Sequence, residues 1–95
     1  AGERIGAQRL HELGVVNRLC DAGTALDTAL SWAESLADRA PNVLASIKEL
    51  VGDAPAHTLP QHLAAERDHF VKNLHHPNGG IGIAAFLNKQ VPRYE

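Results

Sequence analysis

Five prolines divide this 95-residue chain, and their placement constrains what it can fold into. Pro41 and Pro60 stand where a helix can begin, since the first helical turn has no use for the N–H that proline lacks. Pro55 lies in Gly52-Asp53-Ala54-Pro55, which ends a segment; Pro77 opens a Pro77-Asn78-Gly79-Gly80 turn, and Pro92 stops the last segment. Between these breaks, apolar residues recur at three-and-four spacing, the mark of a helix with one apolar face. Leu26, Ala29/Leu30, Ala33, Leu36/Ala37 and Ala40 give one such face. Val43/Leu44, Ile47 and Leu50/Val51 give the next, with Lys48 and Glu49 turned outward. A third runs from Leu59 to Leu74 and is expected to bury Leu59, Leu63, Phe70 and Leu74. The expected fold class is all-α, a small bundle of three longer helices with short flanking ones.

Thr58-Leu59-Pro60-Gln61 has the form of a capping box, which fixes the start of the third long helix. Thr24 is expected to cap the first by accepting from the amide three residues on, with Asp27 favourable at its positive end. Ile5 to Leu13 predicts a short helix ended by Gly14. Val15 to Cys20 is β-branched and apolar, and reads as a strand or an extended linker, although nothing else in the chain reads as a pairing partner. Cys20 ends that run as a buried thiol would. Trp32 lies off the centre of its stripe, which fits edge packing better than a contact to another subunit.

Nine basic and eleven acidic residues are interspersed for a net charge of −2, so there is no basic stripe for nucleic acid and no polybasic membrane anchor. No apolar run approaches transmembrane length. A single cysteine excludes an internal disulfide and makes the cytoplasm the default location. Among six histidines, His62, Glu66 and His69 share a helical face, and Glu66 to His69 has the Glu-x-x-His form of di-iron bundles. Those bundles need a second such motif, and a structural zinc site would recruit more thiols. Solvated or capping histidines are therefore the expectation, with no metal ligand assigned.

The terminal stretch Gly82-Ile83-Ala84-Ala85-Phe86-Leu87-Asn88-Lys89-Gln90-Val91-Pro92-Arg93-Tyr94 reads as a short apolar helix. Phe86 and Lys89, three apart, would project together. A flat aromatic beside a flexible cation suits a planar, anionic group such as a nucleotide. An ordinary amphipathic helix with Phe86 buried and Lys89 in water would carry the same residues.

This stretch resembles the C-terminal signature of the crotonase (enoyl-CoA hydratase/isomerase) superfamily, approximately G-I-x-A-F-x-E-K-R-x-P-x-F. Gly82, Ile83, Ala85, Phe86, Lys89 and Pro92 match and Tyr94 stands for the last aromatic, whereas Asn88 and Gln90 depart from the usual Glu and Arg. Ile5-Gly6-Ala7 followed by Leu13-Gly14-Val15-Val16-Asn17 is similar to the family's I-x-A-x-x-A-x-x-x-G-L-V-N segment, with Leu10 where Ala is common. The resemblance implies the C-terminal part of a longer enzyme acting on acyl-CoA thioesters. Residues 1–20 would end the catalytic core and 21–95 would form a helical domain. The amides that stabilise a thioester enolate, and the carboxylates that move protons, would come from outside this chain, so no catalytic residue is assigned within it. Phe86 and Lys89 would contact the adenine and phosphates of coenzyme A, and the helices would take part in a homo-oligomer. A free-standing helical module that self-associates is the alternative from another class.

Overall fold

A computed structural model describes residues 2–95. Its helices are α1 (Ala7–Glu12), α2 (Ala25–Ala37), α3 (Pro41–Asp53), α4 (Leu59–Leu74) and α5 (Pro77–Leu87), with a 3₁₀ turn at Ala54–Ala56. No strand occurs among the described residues. The chain forms two compact units that divide between Ala33 and Glu34.

In the first unit, α1 ends as expected at Gly14, which takes the left-handed φ of 79°. Val15 to Cys20 forms neither helix nor strand, because no edge is available to pair with it. His11 and Arg18 anchor this segment instead. The His11 Nδ1 meets the Val16 carbonyl at 2.8 Å, and the Arg18 guanidinium stacks 4.1 Å from the centre of the half-buried Trp32 ring. Cys20 is exposed, contrary to the apolar run it ends. The Thr24 hydroxyl donates back to the Asp21 carbonyl at 2.7 Å, while the Thr24 carbonyl accepts from Thr28. The threonine thus closes the turn that precedes α2.

In the second unit, α4 packs against both α3 and α5. Pro41 opens α3, and the capping box opens α4: Gln61 N donates to Thr58 Oγ1 and Thr58 N donates to Gln61 Oε1. Pro77-Asn78-Gly79-Gly80 is not a turn but the first turn of α5. Local chemistry overrides two glycines here. Proline occupies the first turn, and the His76 ring caps the helix by accepting from Asn78 N at 3.0 Å. Gly79 is required by packing, since a Cβ there would stand 2.5 Å from the Leu74 carbonyl oxygen and 2.9 Å from that of Asn73. Gly80 meets nothing within 4 Å.

The interior of this unit is polar. Among the described residues, only Ala40, Ala85, Ser46 and Asn78 are buried. Asn78 Nδ2 donates to Asn42 Oδ1 (2.8 Å), Asn42 Nδ2 to Asn73 Oδ1 (2.9 Å) and Asn73 Nδ2 to Ser46 Oγ (2.8 Å). Ser46 Oγ also meets His69 Nδ1 at 2.8 Å, and His69 Nε2 lies 3.4 Å from Glu49. No buried side-chain polar atom among the described residues lacks a partner. The apolar faces expected to form the core are mostly outside it. Leu59, Leu63, Phe70 and Leu74 of α4 are all exposed, as are Val43, Ile47 and Val51 of α3, leaving only Leu44 and Leu50 half-buried. The reason is register: Asn42, Ser46 and Glu49 share one face of α3, His69 and Asn73 one face of α4, and these faces turn toward each other.

The adjacent glycines in the first turn of α5, Gly79 and Gly80, predict opposite outcomes. Gly79→Ala should destabilise the fold by about 1–3 kcal/mol, because backbone of α4 blocks the new methyl. Gly80→Ala should stabilise it by about 0.5–1 kcal/mol through helix propensity alone. Urea denaturation of the two variants measures both, and equal effects would contradict the packing.

Candidate functional site

The C-terminal end of α5 is built from three hydrogen bonds. Asn88 N donates to the Ala84 carbonyl, Lys89 N to that of Phe86 (3.2 Å), and Gln90 N to that of Ala85 (2.9 Å). The last two form the Schellman closure, which requires a left-handed residue after the helix. That position usually holds glycine; here it holds Lys89, with φ 53°, the one positive φ outside glycine among the described residues. A side chain in this conformation costs about 1–2 kcal/mol relative to the right-handed region.

Phe86 sits in the last turn of α5 and is 82% exposed. Lys89 is not on the helical face with it, because α5 ends at Leu87; the closing turn brings the two backbones together instead. The departures at Asn88 and Gln90 fall within this turn, where their backbones cap the helix. An aromatic and a cation therefore stand at an exposed chain reversal. Such a place suits recognition of a planar anion at a surface rather than in a pocket. Neither residue lines either of two clefts seen on this unit. One, of about 820 Å³, lies between the α2–α3 junction and the tail, with Arg39 and Arg93 in its walls; the other, of about 320 Å³, includes Ile47, His62 and Glu66.

The histidines act separately. His62 pairs with His57, Nδ1 to Nδ1 at 3.1 Å, while His69 engages Ser46 and Glu49. No group of three or more His, Cys, Asp or Glu among the described residues is arranged to hold a metal. Ser46, His69 and Glu49 bring together the residue types of a hydrolase triad, which the sequence reading did not identify. Ser46 is buried, and its hydroxyl oxygen already accepts from Asn73. This is a structural bond and not an activated nucleophile. Its sequence signal is the polar spacing of Asn42, Ser46 and Glu49 against His69 and Asn73.

Comparison with known proteins identifies the family. The sequence model of the family described as Enoyl-CoA hydratase/isomerase matches residues 1–95. Among curated relatives, the chain is 31% identical over 93 residues to the 1,2-epoxyphenylacetyl-CoA isomerase of Escherichia coli K12, covering 98% of this chain and 36% of that protein. It is 30% identical over 95 residues to the 2,3-dehydroadipyl-CoA hydratase of the same organism, covering 100% of this chain and 37% of that one. Among solved structures, an enoyl-CoA hydratase from Polaromonas sp. JS666 superposes with a TM-score of 0.94 at 64% identity, over 99% of this chain and 37% of its own. The chain thus spans little more than a third of the length of the relatives it matches. The helical architecture is that of the corresponding part of those proteins, and the chain belongs to the enoyl-CoA hydratase/isomerase family.

Proposed function

We propose that this chain is the C-terminal helical part of an enzyme acting on acyl-CoA thioesters, and that Phe86 and Lys89 contact the adenine and phosphates of coenzyme A. The observation that carries the reading is the left-handed Lys89. Strain of this kind persists where it serves a function, and glycine would relieve it at the expense of the cation. An exposed aromatic next to it supplies a face for a base, and the ammonium a charge for phosphate. Residues 1–20 would end the catalytic core, which supplies the oxyanion-stabilising amides and the proton-transferring carboxylates. In this role the chain binds and orients the CoA moiety, and the chemistry of the acyl group lies elsewhere. The cytoplasm is the location that fits a single exposed thiol, and no described helix is long and apolar enough to cross a membrane.

Association is the second part of the proposal. Leu59, Leu63 and Phe70 leave an exposed apolar face along α4, and large exposed apolar patches drive association. The same surface favours the alternative of a self-associating helical module without an enzymatic partner.

Three results would follow. In the intact protein, Lys89→Ala should raise KM for an acyl-CoA about tenfold with little change in kcat, the loss of one charge-assisted contact; an unchanged KM would contradict the assigned contact. Lys89→Gly should weaken binding equally yet leave the fold about 1 kcal/mol more stable than Lys89→Ala does, since only glycine relaxes the turn. Light scattering of the 95-residue chain should show dimers or larger species, and a monomer at high concentration would remove the association surface.

A further inference from the structure

Beyond Lys89 the chain reverses and runs back along α5, where two further points fasten it. Tyr94 lies over Gly82, its hydroxyl 3.1 Å from where a Cβ would stand. At the start of α5, Asn78 grips the backbone of Glu95 from both sides: its Nδ2 donates to the Glu95 carbonyl and its Oδ1 accepts from Glu95 N, each at 2.9 Å. The second Nδ2 proton goes to Asn42 Oδ1, so the amide cannot flip without setting two oxygens against each other. Asn78 is 2% exposed, and Asn42, Asn73 and Ser46 in turn lock its orientation.

A left-handed residue other than glycine keeps its conformation only when its surroundings over-determine it. The Schellman bonds hold Lys89 from the helix side, and the strap from Val91 to Glu95 holds it from the other. We propose that Asn78 is a positioning residue for Lys89. By tying the end of the strap to the first turn of α5, it fixes the reversal from which the Lys89 ammonium is presented, though it touches neither Lys89 nor any ligand. The mechanical link stands on the hydrogen bonds alone; only its consequence for an anionic ligand rests on the acyl-CoA reading above.

The test combines amide hydrogen exchange with CoA binding in the intact protein. Asn78→Ala should accelerate exchange at the Gln90 amide about tenfold, the equivalent of one hydrogen bond of ordinary net strength, and raise the Kd for CoA several-fold without lowering kcat. Tyr94→Ala loosens the strap without touching the buried amides, should do the same, and carries the test if Asn78→Ala does not fold. In a Lys89→Gly background the turn needs no holding, so adding Asn78→Ala or Tyr94→Ala should change Gln90 exchange less than about twofold. Unchanged Gln90 exchange on Asn78→Ala and Tyr94→Ala would overturn the proposal, as would equal acceleration with and without Lys89→Gly, which would make Asn78 a general stabiliser. If exchange responds as expected while the Kd for CoA stays fixed, the positioning link stands and the CoA contact at Lys89 falls.

Discussion

The bond from Asn78 to Asn42 is the joint on which the second unit depends. It is the point where α3, α5 and the returning tail meet, and through Asn73 it reaches α4. Apolar contacts tolerate sliding, whereas a run of amide donors and acceptors is satisfied in one register only. Each bond contributes about 1 kcal/mol net, but removing one partner strands another at about 1–3 kcal/mol. With so few apolar side chains buried, this asymmetry sets the mutual placement of α3, α4 and α5. Ser46 and His69 belong to the same chain of bonds, which gives this hydrolase-like set of residues a structural role.

A polar seam between helices leaves their apolar stripes facing outward. Leu59 and Phe70, 72% and 67% exposed, are costly to leave in water, and nothing within the unit could cover them without breaking the amide register. Matched relatives are nearly three times as long as this chain, and an exposed apolar helix face suits packing against further protein. The candidate CoA contact sits apart from those stripes, at the exposed reversal after α5.

Much of the architecture was legible in the sequence because its boundaries are set by local chemistry. The capping box and Pro60 place the start of α4 at Leu59, Pro41 starts α3, and Gly14 ends α1 with the positive φ expected of it. What spacing could not reveal is which stripe turns inward. On α3 the polar series Asn42, Ser46, Glu49 repeats with the same helical period as the apolar one, and only the partner helix decides between them. Pro77-Asn78-Gly79-Gly80 read as a turn because its glycines oppose a helix in isolation; the close approach of α4 carbonyls to Gly79 is a tertiary fact. Phe86 and Lys89 are candidates both by spacing and by motif. Their helical spacing suggested a shared face, while the structure joins them through a left-handed turn that no periodicity encodes.

Photolabelling the intact protein with an azidoadenine analogue of CoA, followed by peptide mapping, tests directly whether the reversal after α5 meets coenzyme A. Covalent label is expected within the segment from Phe86 to Gln90, suppressed by excess CoA. Competable label confined to other segments, with Phe86 to Gln90 unmodified, would contradict that contact.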